Sequence, residues 1–157
     1  MKSRDAEAAS LSLEIIRYCS EEVDRQRDEP TAVWWLCLAW ADAMRLRECS
    51  PILTTTTIEH LGRLVSPGVN GTGFRQGGVR VGDRACPPPA SLRPAIDGLL
   101  SAEFLATHTP EKIYREFELI HPFNDGNGRM GKILFNWLKN TLAEPVMPPN
   151  FFNCANP

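Results

Sequence analysis

The residues best able to do chemistry are concentrated in one stretch, HPFNDGNGRMGK, at positions 121–132. His121 carries an imidazole, which can accept a proton near neutral pH. Gly126, Asn127 and Gly128 stand at the predicted start of a helix, where backbone N–H groups have no partner within the helix. Glycines there allow a ligand to approach the backbone closely. Such a helix start is a binding site for phosphate.

Charged residues flank this turn on both sides. Asp125 is a hard oxygen ligand that suits Mg²⁺ when phosphate oxygens complete the coordination. Arg129 and Lys132 lie three residues apart, so they share one face of the first helical turn. The positive end of the helix dipole repels cations there, which predicts that an anion compensates them. We interpret that anion as the phosphates of a nucleotide. Each short motif alone is more often a turn or a cap, but together they indicate a site.

Several helices must position this stretch. Apolar spacing and capping residues predict them at 4–27, about 31–47, 54–65, 91–105, 110–120 and 128 to about 140. Thr109 is the expected N-cap of the helix that begins at Pro110. That helix should end at His121, because the residue before a proline is disfavoured in a helix. Phe123, apolar in a polar loop, is expected to anchor the loop in the core.

The region between the third and fourth predicted helices differs in composition, because it is rich in glycine. The segment GFRQGGVRV at 73–81 reads as a small hairpin, with Gly77 and Gly78 at its turn. The prolines of CPPPA that follow predict an extended connector. The Pro-rich tail at 145–157 is expected to run over the surface. The predicted fold class is therefore mostly α with one hairpin.

Composition bounds the classes of protein that the chain can represent. With 157 residues, 43% of them hydrophobic, one domain spanning 1–157 is the simplest expectation. A net charge of −2 without a basic run gives no support to nucleic-acid or membrane binding. Five cysteines without a C-x-x-C pair favour reduced thiols. The N-terminus is polar and lacks an apolar signal core, so we expect a cytoplasmic protein.

The sequence also resembles a known family. HPFNDGNGR resembles the signature of Fic domains, H-P-F-x-[D/E]-G-N-G-R-x-x-R. GFRQGGVRVG followed by prolines is similar to the flap hairpin of that family, and FELIHPF and ILFNWL are similar to the helices around its active loop. The resemblance covers about residues 50–140. It implies a compact Fic-type helical bundle with one β-hairpin flap, and an enzyme that transfers AMP from ATP to a Ser, Thr or Tyr hydroxyl of a target protein.

The resemblance also implies a role for each matching residue. His121 would be the base for the target hydroxyl, Asp125 would hold Mg²⁺ on the α and β phosphates, Gly126, Asn127 and Gly128 would form the anion hole, and Arg129 would bind the outer phosphates. The flap residues Gly77, Gly78, Val79, Arg80 and Val81 would position an extended stretch of the target by strand addition. The implied catalysis consists mainly of positioning and charge stabilisation.

Lys132 departs from the family pattern, which has a second Arg at this position. Lysine keeps the charge but loses the planar fork that binds phosphate at two points. In the family, that Arg contacts the terminal phosphate and pairs with an inhibitory Glu in a [S/T]-x-x-x-E-[G/N] helix. Ser10 to Glu14 and Thr55 to Glu59 come near this pattern but do not complete it. We therefore expect no self-inhibition, and predict either a separate antitoxin chain that restrains a toxin or no restraint.

Three other interpretations stay open at this point. Relatives of the Doc toxin reverse the nucleotide and phosphorylate their target, but they depart from the G-N-G sequence that this chain keeps. A nucleotide-binding interaction module with weak activity is a second possibility, which Lys132 leaves open. A helical interaction protein with an incidental loop is the third, and the charge argument disfavours it.

Overall fold

The computed structural model describes residues 11–151. Within that range the chain forms seven α-helices and one two-stranded antiparallel hairpin, which confirms the predicted fold class. In chain order the elements are α1 Leu13–Gln26, α2 Ala32–Cys49, α3 Thr55–Val65, β1 Arg80–Val81, β2 Arg84–Ala85, α4 Pro89–Leu99, α5 Ala102–Thr107, α6 Pro110–Ile120 and α7 Asn127–Lys139. No helix among residues 11–151 is long and apolar enough to cross a membrane.

Helix α7 is the centre of the bundle. Its residues from Met130 to Trp137 are buried on all sides, as expected of a helix enclosed by others. It packs against α1, α2, α3 and α6. The buried apolar side chains of these helices form one continuous cluster. The loop before α7 is therefore attached to a helix that is buried among four others.

Side-chain caps set the helix starts that the sequence predicts. Thr109 accepts a hydrogen bond from the backbone N–H of Lys112, and Pro110 is the first residue of α6, so both predictions are confirmed. Ser12 caps α1 in the same way. The start of the first helix was predicted wrongly: the prediction ran from residue 4, but Leu11 and Ser12 are not helical and α1 begins at Leu13. Residues 4–10 lie outside the described range.

The prediction of one helix at 91–105 is wrong, because two helices cover this range. Helix α4 ends at Leu99, and α5 begins at Ala102. Ser101 accepts a hydrogen bond from the N–H of Phe104, so a new helix starts where the periodic pattern had suggested one element. Helix α4 also begins at Pro89, inside the predicted extended connector, because proline is favourable in the first turn of a helix.

The hairpin exists, but its predicted turn was wrong. The strands pair Arg80 with Ala85 and Val81 with Arg84, so the turn falls after Val81 rather than at Gly77 and Gly78. Gly82 supplies the positive φ of 58° that this turn needs. Of the predicted flap residues, Val79 accepts a hydrogen bond from Cys86 beside the ladder, whereas Gly77 and Gly78 precede it.

The described part of the tail, 145–151, contacts the helices rather than extending away. The backbone of Val146 exchanges hydrogen bonds with the Asn136 side chain at 2.8 and 3.1 Å. The Tyr18 hydroxyl donates to the Val146 carbonyl at 3.2 Å. These contacts agree with a tail that runs over the surface, and residues 152–157 lie outside the described range. That residues 1–157 form a single domain stays a prediction.

Candidate active site

His121 ends α6 in a left-handed conformation, with φ 51° and ψ 61°. A left-handed residue other than glycine is uncommon and costs free energy, so it persists only where its surroundings hold it. The His121 N–H donates to the Phe117 carbonyl at 3.0 Å, and its own carbonyl accepts from Arg75 Nε at 2.7 Å. The chain direction therefore changes sharply at this residue.

The loop after His121 is fixed by two buried side chains. Phe123 is fully buried, as the sequence predicts, and its ring fills the space that Gly62 leaves on α3. A β-carbon at Gly62 would lie 2.0 Å from that ring. The side-chain amide of Asn127 accepts from the N–H of Phe123 and donates to its carbonyl, both at 2.9 Å. Asn127 thus braces the loop with its side chain, which leaves only its backbone N–H for an anion.

Helix α7 begins without a side-chain cap. Gly126 is the N-cap residue, with φ 72°, and it has no side chain that could accept from the first turn. The N–H groups of the first turn therefore stay available, as expected for a helix start that binds an anion. A β-carbon at Gly126 would lie 2.7 Å from Val65, so this position also requires glycine for space.

Asp125 is held in place by the loop that follows α3. Its Oδ2 accepts hydrogen bonds from the Ser66 hydroxyl at 2.6 Å and from Arg129 at 3.0 Å. The side-chain amide of Asn70 bonds both the N–H and the carbonyl of Asp125. Burial raises the pKa of Asp125, but the hydrogen bond from Ser66 and the charge of Arg129 outweigh it. The net pKa is lowered, so the carboxylate is ionised at neutral pH.

These groups line one cavity of about 190 Å³. His121, Asp125, Gly126, Asn127, Gly128 and Arg129 all lie on its wall, together with Gln26, Asp28 and Asn124. The structure therefore brings together the predicted loop residues, except Lys132. Asp125 and Arg129 also line a neighbouring cavity of about 240 Å³ beside the start of α2.

Arg129 is almost fully enclosed by partners. Its Nη2 contacts Asp125, its Nη1 donates to the Val65 carbonyl at 3.0 Å, and its Nε lies 3.0 Å from Asp28 Oδ2. The Nε contact is an ion pair without hydrogen-bond geometry. Only 4% of the Arg129 side chain is exposed. The guanidinium therefore fixes Asp125 and the α1–α2 junction at the cavity wall.

Lys132 points away from the cavity and into the bundle. Its Nζ lies 3.1 Å from Glu22 Oε1 on α1 and donates to the Tyr114 hydroxyl at 3.2 Å. The Glu22 side chain is fully buried. The expected absence of self-inhibition relied on there being no glutamate in the inhibitory pattern, but a carboxylate outside that pattern pairs with Lys132. Only the packing of α1 on α7 brings these two residues together, so no local pattern indicates the pair.

The prediction that the cations at the start of α7 need nucleotide phosphates to compensate their charge is wrong. In the structure, Asp28 and Asp125 compensate Arg129, and Glu22 compensates Lys132. The helix start therefore does not require a ligand for electrostatic balance. The uncapped N–H groups and the cavity remain the observations that favour an anion site.

The imidazole of His121 is set to be neutral. Partial burial lowers its pKa most, a hydrogen bond to the Glu118 backbone opposes this, and the charges of Arg75 and Arg84 lower the pKa further. A neutral imidazole is the form that accepts a proton. His121 can therefore act as a base at neutral and mildly acidic pH.

Several residues that build the site were missed from the sequence. Ser66 and Asn70 hold Asp125, and Arg75 holds the carbonyl of His121. Each lies far from the loop in sequence, in the glycine-rich region or at its edge. Polar residues in a glycine-rich segment are usually exposed turn residues. Nothing in the local sequence indicates that these three hold another loop in place.

Comparison with known proteins identifies the family of the chain. The model of the Fic/DOC family matches residues 52–138, which is more than half of the chain. The chain belongs to the Fic/DOC family. That membership supports the Fic class of enzymes. No curated protein matches the chain in sequence.

A solved structure shares the fold of this Fic chain. The crystal structure of IbpAFic2 covalently tethered to Cdc42 superposes with a TM-score of 0.62 at 20% sequence identity. The match covers 95% of this chain and 52% of that one, so this chain spans about half the length of that protein. At this identity the likeness shows the fold, which is the compact helical bundle with a hairpin that the resemblance implied.

Proposed function

We propose that this Fic protein is an adenylyltransferase that moves AMP from ATP to a Ser, Thr or Tyr hydroxyl of a target protein and releases pyrophosphate. One observation carries the proposal. A neutral histidine, an ionised carboxylate and an uncapped helix start line the same cavity of about 190 Å³. The histidine can serve as a base, the carboxylate as a metal ligand and the helix start as a phosphate-binding site.

In the proposed reaction, the target hydroxyl oxygen forms a bond to the α-phosphorus, and the bond from that phosphorus to the bridging oxygen of pyrophosphate breaks. His121 accepts the hydroxyl proton. The backbone N–H groups at Gly126, Asn127 and Gly128 stabilise negative charge on the phosphate oxygens. The rigid attachment of this turn to α7 contributes by positioning, which supplies much of the acceleration in transfers of this kind.

Asp125 is the residue that would hold Mg²⁺. It fits that role because it is ionised, and 42% of its side chain stays exposed beside the helix start. Bound magnesium would supply charge neutralisation for the α and β phosphates. The guanidinium of Arg129 already contacts Asp125, Asp28 and the Val65 carbonyl, so its main proposed contribution is to hold Asp125 in position. Contact with the outer phosphates would require it to release some of these partners.

The acceptor is proposed to be a protein segment in extended conformation. Val79, Arg80 and Val81 form one side of an exposed two-stranded hairpin, whose free edge could pair with another strand. The fold shared with IbpAFic2, a protein captured while tethered to Cdc42, supports a protein target. A cytoplasmic location, toxicity and control by a separate antitoxin chain stay predictions.

Helix α1 is proposed to restrain the reaction. Glu22 holds the Nζ of Lys132, which stands where the family pattern has the Arg that contacts the terminal phosphate. Gln26, one turn later, packs against Gly128, where a β-carbon would lie 2.7 Å from its Nε2. ATP in a productive position would therefore have to displace contacts made by α1.

Separate labelling of ATP at the α and γ phosphates tests the proposed reaction. The protein is incubated with Mg²⁺, labelled ATP and a cell extract that contains candidate targets. Transfer of the α label to protein, lost in a His121→Asn variant, is the expected result. Transfer of the γ label alone would indicate the Doc-like kinase reaction, and transfer of neither label would indicate a binding module.

A further inference from the structure

A buried arginine joins the hairpin to the loop that carries His121. Arg75 is 1% exposed and lies before β1, in the glycine-rich region. Its guanidinium donates to four backbone carbonyls: His121 at 2.7 Å, Pro87 at 2.6 Å, Gly77 at 2.9 Å and Ile120 at 3.3 Å. Its own N–H donates to the Pro122 carbonyl at 2.9 Å. All five acceptors belong to the two segments that the proposed reaction must align.

The positions of these carbonyls show what the arginine connects. Gly77 precedes β1 and Pro87 follows β2, so the guanidinium spans both ends of the hairpin. Ile120, His121 and Pro122 form the end of α6 and the reversal into the loop. A planar fork with five N–H groups can bind several carbonyls in a fixed geometry, which a lysine cannot reproduce.

Among residues 11–151 no acid forms an ion pair with Arg75. The hydrogen bonds of its guanidinium all go to neutral backbone carbonyls. Burying such a cation is unfavourable, and burial lowers the pKa of its guanidinium. An apolar residue would serve better if the position only filled space. The arrangement indicates that the fork geometry itself is needed.

We propose that Arg75 is a positioning residue that holds the base of the hairpin and the peptide of His121 in one fixed arrangement, so that a strand paired with the hairpin presents its hydroxyl to the imidazole. This inference rests on the proposed function for the meaning of that alignment. The coupling between hairpin and loop is a property of the free protein and can be measured without nucleotide or target.

The residue is also close enough to act on the imidazole through its charge. The positive charge of Arg75 lowers the pKa of His121, in addition to the effect of burial. Two substitutions separate the effect of the guanidinium geometry from the effect of the positive charge. Arg75→Lys keeps the charge and loses the fork, whereas Arg75→Gln loses both the charge and most of the donors.

Hydrogen exchange of residues 79–86 is the first readout. In both Arg75 variants we expect exchange in this hairpin to become at least tenfold faster, with exchange in α3 and α7 unchanged. Arg47→Gln is the matched control, because Arg47 also donates to a backbone carbonyl, that of Trp137, but lies away from the hairpin. Unchanged hairpin exchange in the Arg75 variants, or equal acceleration throughout the protein, would overturn the proposal.

The titration of His121 by NMR is the second readout. We expect its pKa to rise in Arg75→Gln and to stay near the parental value in Arg75→Lys. The transfer rate should fall at least tenfold in both variants, with unchanged affinity for Mg-ATP. If Arg75→Gln does not fold, Arg75→Lys alone decides the matter. If no transfer is found in the parent while hairpin exchange responds as expected, the proposed function fails and the coupling stands.

Discussion

The two sides of the start of α7 handle charge in different ways. On the cavity side, Asp125 and His121 are partly exposed and lie beside the backbone of the helix start. Asp125 also forms an ion pair with Arg129 at the cavity wall. On the side of α1, Lys132, Glu22 and Glu118 are enclosed, and Glu118 Oε1 is a buried atom without a hydrogen-bond partner. The first side is open to a ligand, whereas the second is closed by the protein itself.

The difference separates two uses of charged residues. Asp125 and His121 can bind a ligand at little structural cost, because water still reaches part of both side chains. The buried pair of Glu22 and Lys132 is different, since desolvation cancels much of its attraction and removing one member leaves a buried charge with fewer partners. We therefore expect substitutions on the cavity side to change activity, and substitutions on the α1 side to change stability first.

The largest effect is expected at His121. His121→Asn should lower the transfer rate by roughly 10²–10⁴-fold, because the general base is lost. Asparagine is the better substitution than alanine, since it tolerates the left-handed conformation of this residue. Rates are measured with α-labelled ATP, and circular dichroism compares the folds. Transfer at the parental rate by a folded variant would exclude His121 as the base.

The next effect concerns stability. Lys132→Met leaves Glu22 with Arg25 and Gln26 as its remaining partners, and loss of the buried lysine contact should lower the free energy of unfolding by roughly 2–3 kcal/mol. A double substitution, Glu22→Leu with Lys132→Met, should recover most of the loss. Lys139→Met, on the same helix in an exposed pair with Glu111, should change stability by less than about 1 kcal/mol.

Urea unfolding of these four proteins provides the measurement. Equal losses in Lys132→Met and Lys139→Met would show that burial of the first pair carries no special cost. If the double variant is as unstable as Lys132→Met, the stability of the protein depends on packing of the aliphatic part of Lys132 rather than on its ion pair with Glu22.

The sequence predicted the cavity side better than the α1 side for a physical reason. His121, Asp125 and the glycine turn are neighbours in the chain, so their spacing alone brings them together. The bounds of α6 also followed from local signals, a threonine cap and a proline at each end. Local chemistry was sufficient wherever the determining contacts lie within one turn.

Contacts between distant segments escaped prediction. The pairing of Glu22 with Lys132 depends on how α1 packs on α7, and the support of His121 by Arg75 spans 46 positions. The hairpin turn was misplaced because two glycine positions suited it, and only the strand register selects between Gly82 and Gly77–Gly78. Periodicity and turn chemistry do not contain this information.

A smaller effect is expected at Glu118. Burial raises the pKa of its carboxyl to about 7, with Glu22 adding to the rise and Lys132 opposing it. A raised pKa in the folded state means that stability is present at pH below about 4.5 and is lost as the pH rises through 7. Glu118→Gln should remove this loss. The free energy of unfolding of the variant, relative to that of the parent, should therefore increase by roughly 2 kcal/mol from pH 5 to pH 8.

Urea unfolding at both pH values checks this expectation. Asp97→Asn offers a control on α4, since Asp97 accepts from Thr55 away from the α1–α6–α7 contact. If the stability difference between Glu118→Gln and the parent is the same at pH 5 and pH 8, Glu118 titrates as an ordinary glutamate and the buried cluster is not strained.

The smallest effect tests whether α1 restrains the reaction. Glu22→Gln keeps the shape of the side chain but removes the carboxylate that contacts Lys132, which leaves Glu118 as the remaining acid that acts on this cation. On the proposal that α1 restrains the reaction, the terminal phosphate of ATP then competes more easily for Lys132, so we expect affinity for Mg-ATP to rise several-fold and the transfer rate to rise with it. Glu14→Gln is the matched control, because Glu14 is an exposed residue of the same helix. Calorimetric titration with Mg-ATP measures the affinities, and thermal unfolding verifies that both variants are folded. Equal affinity in Glu22→Gln and Glu14→Gln would mean that Glu22 and the phosphate do not compete, and that the buried pair serves only to attach α1 to the bundle.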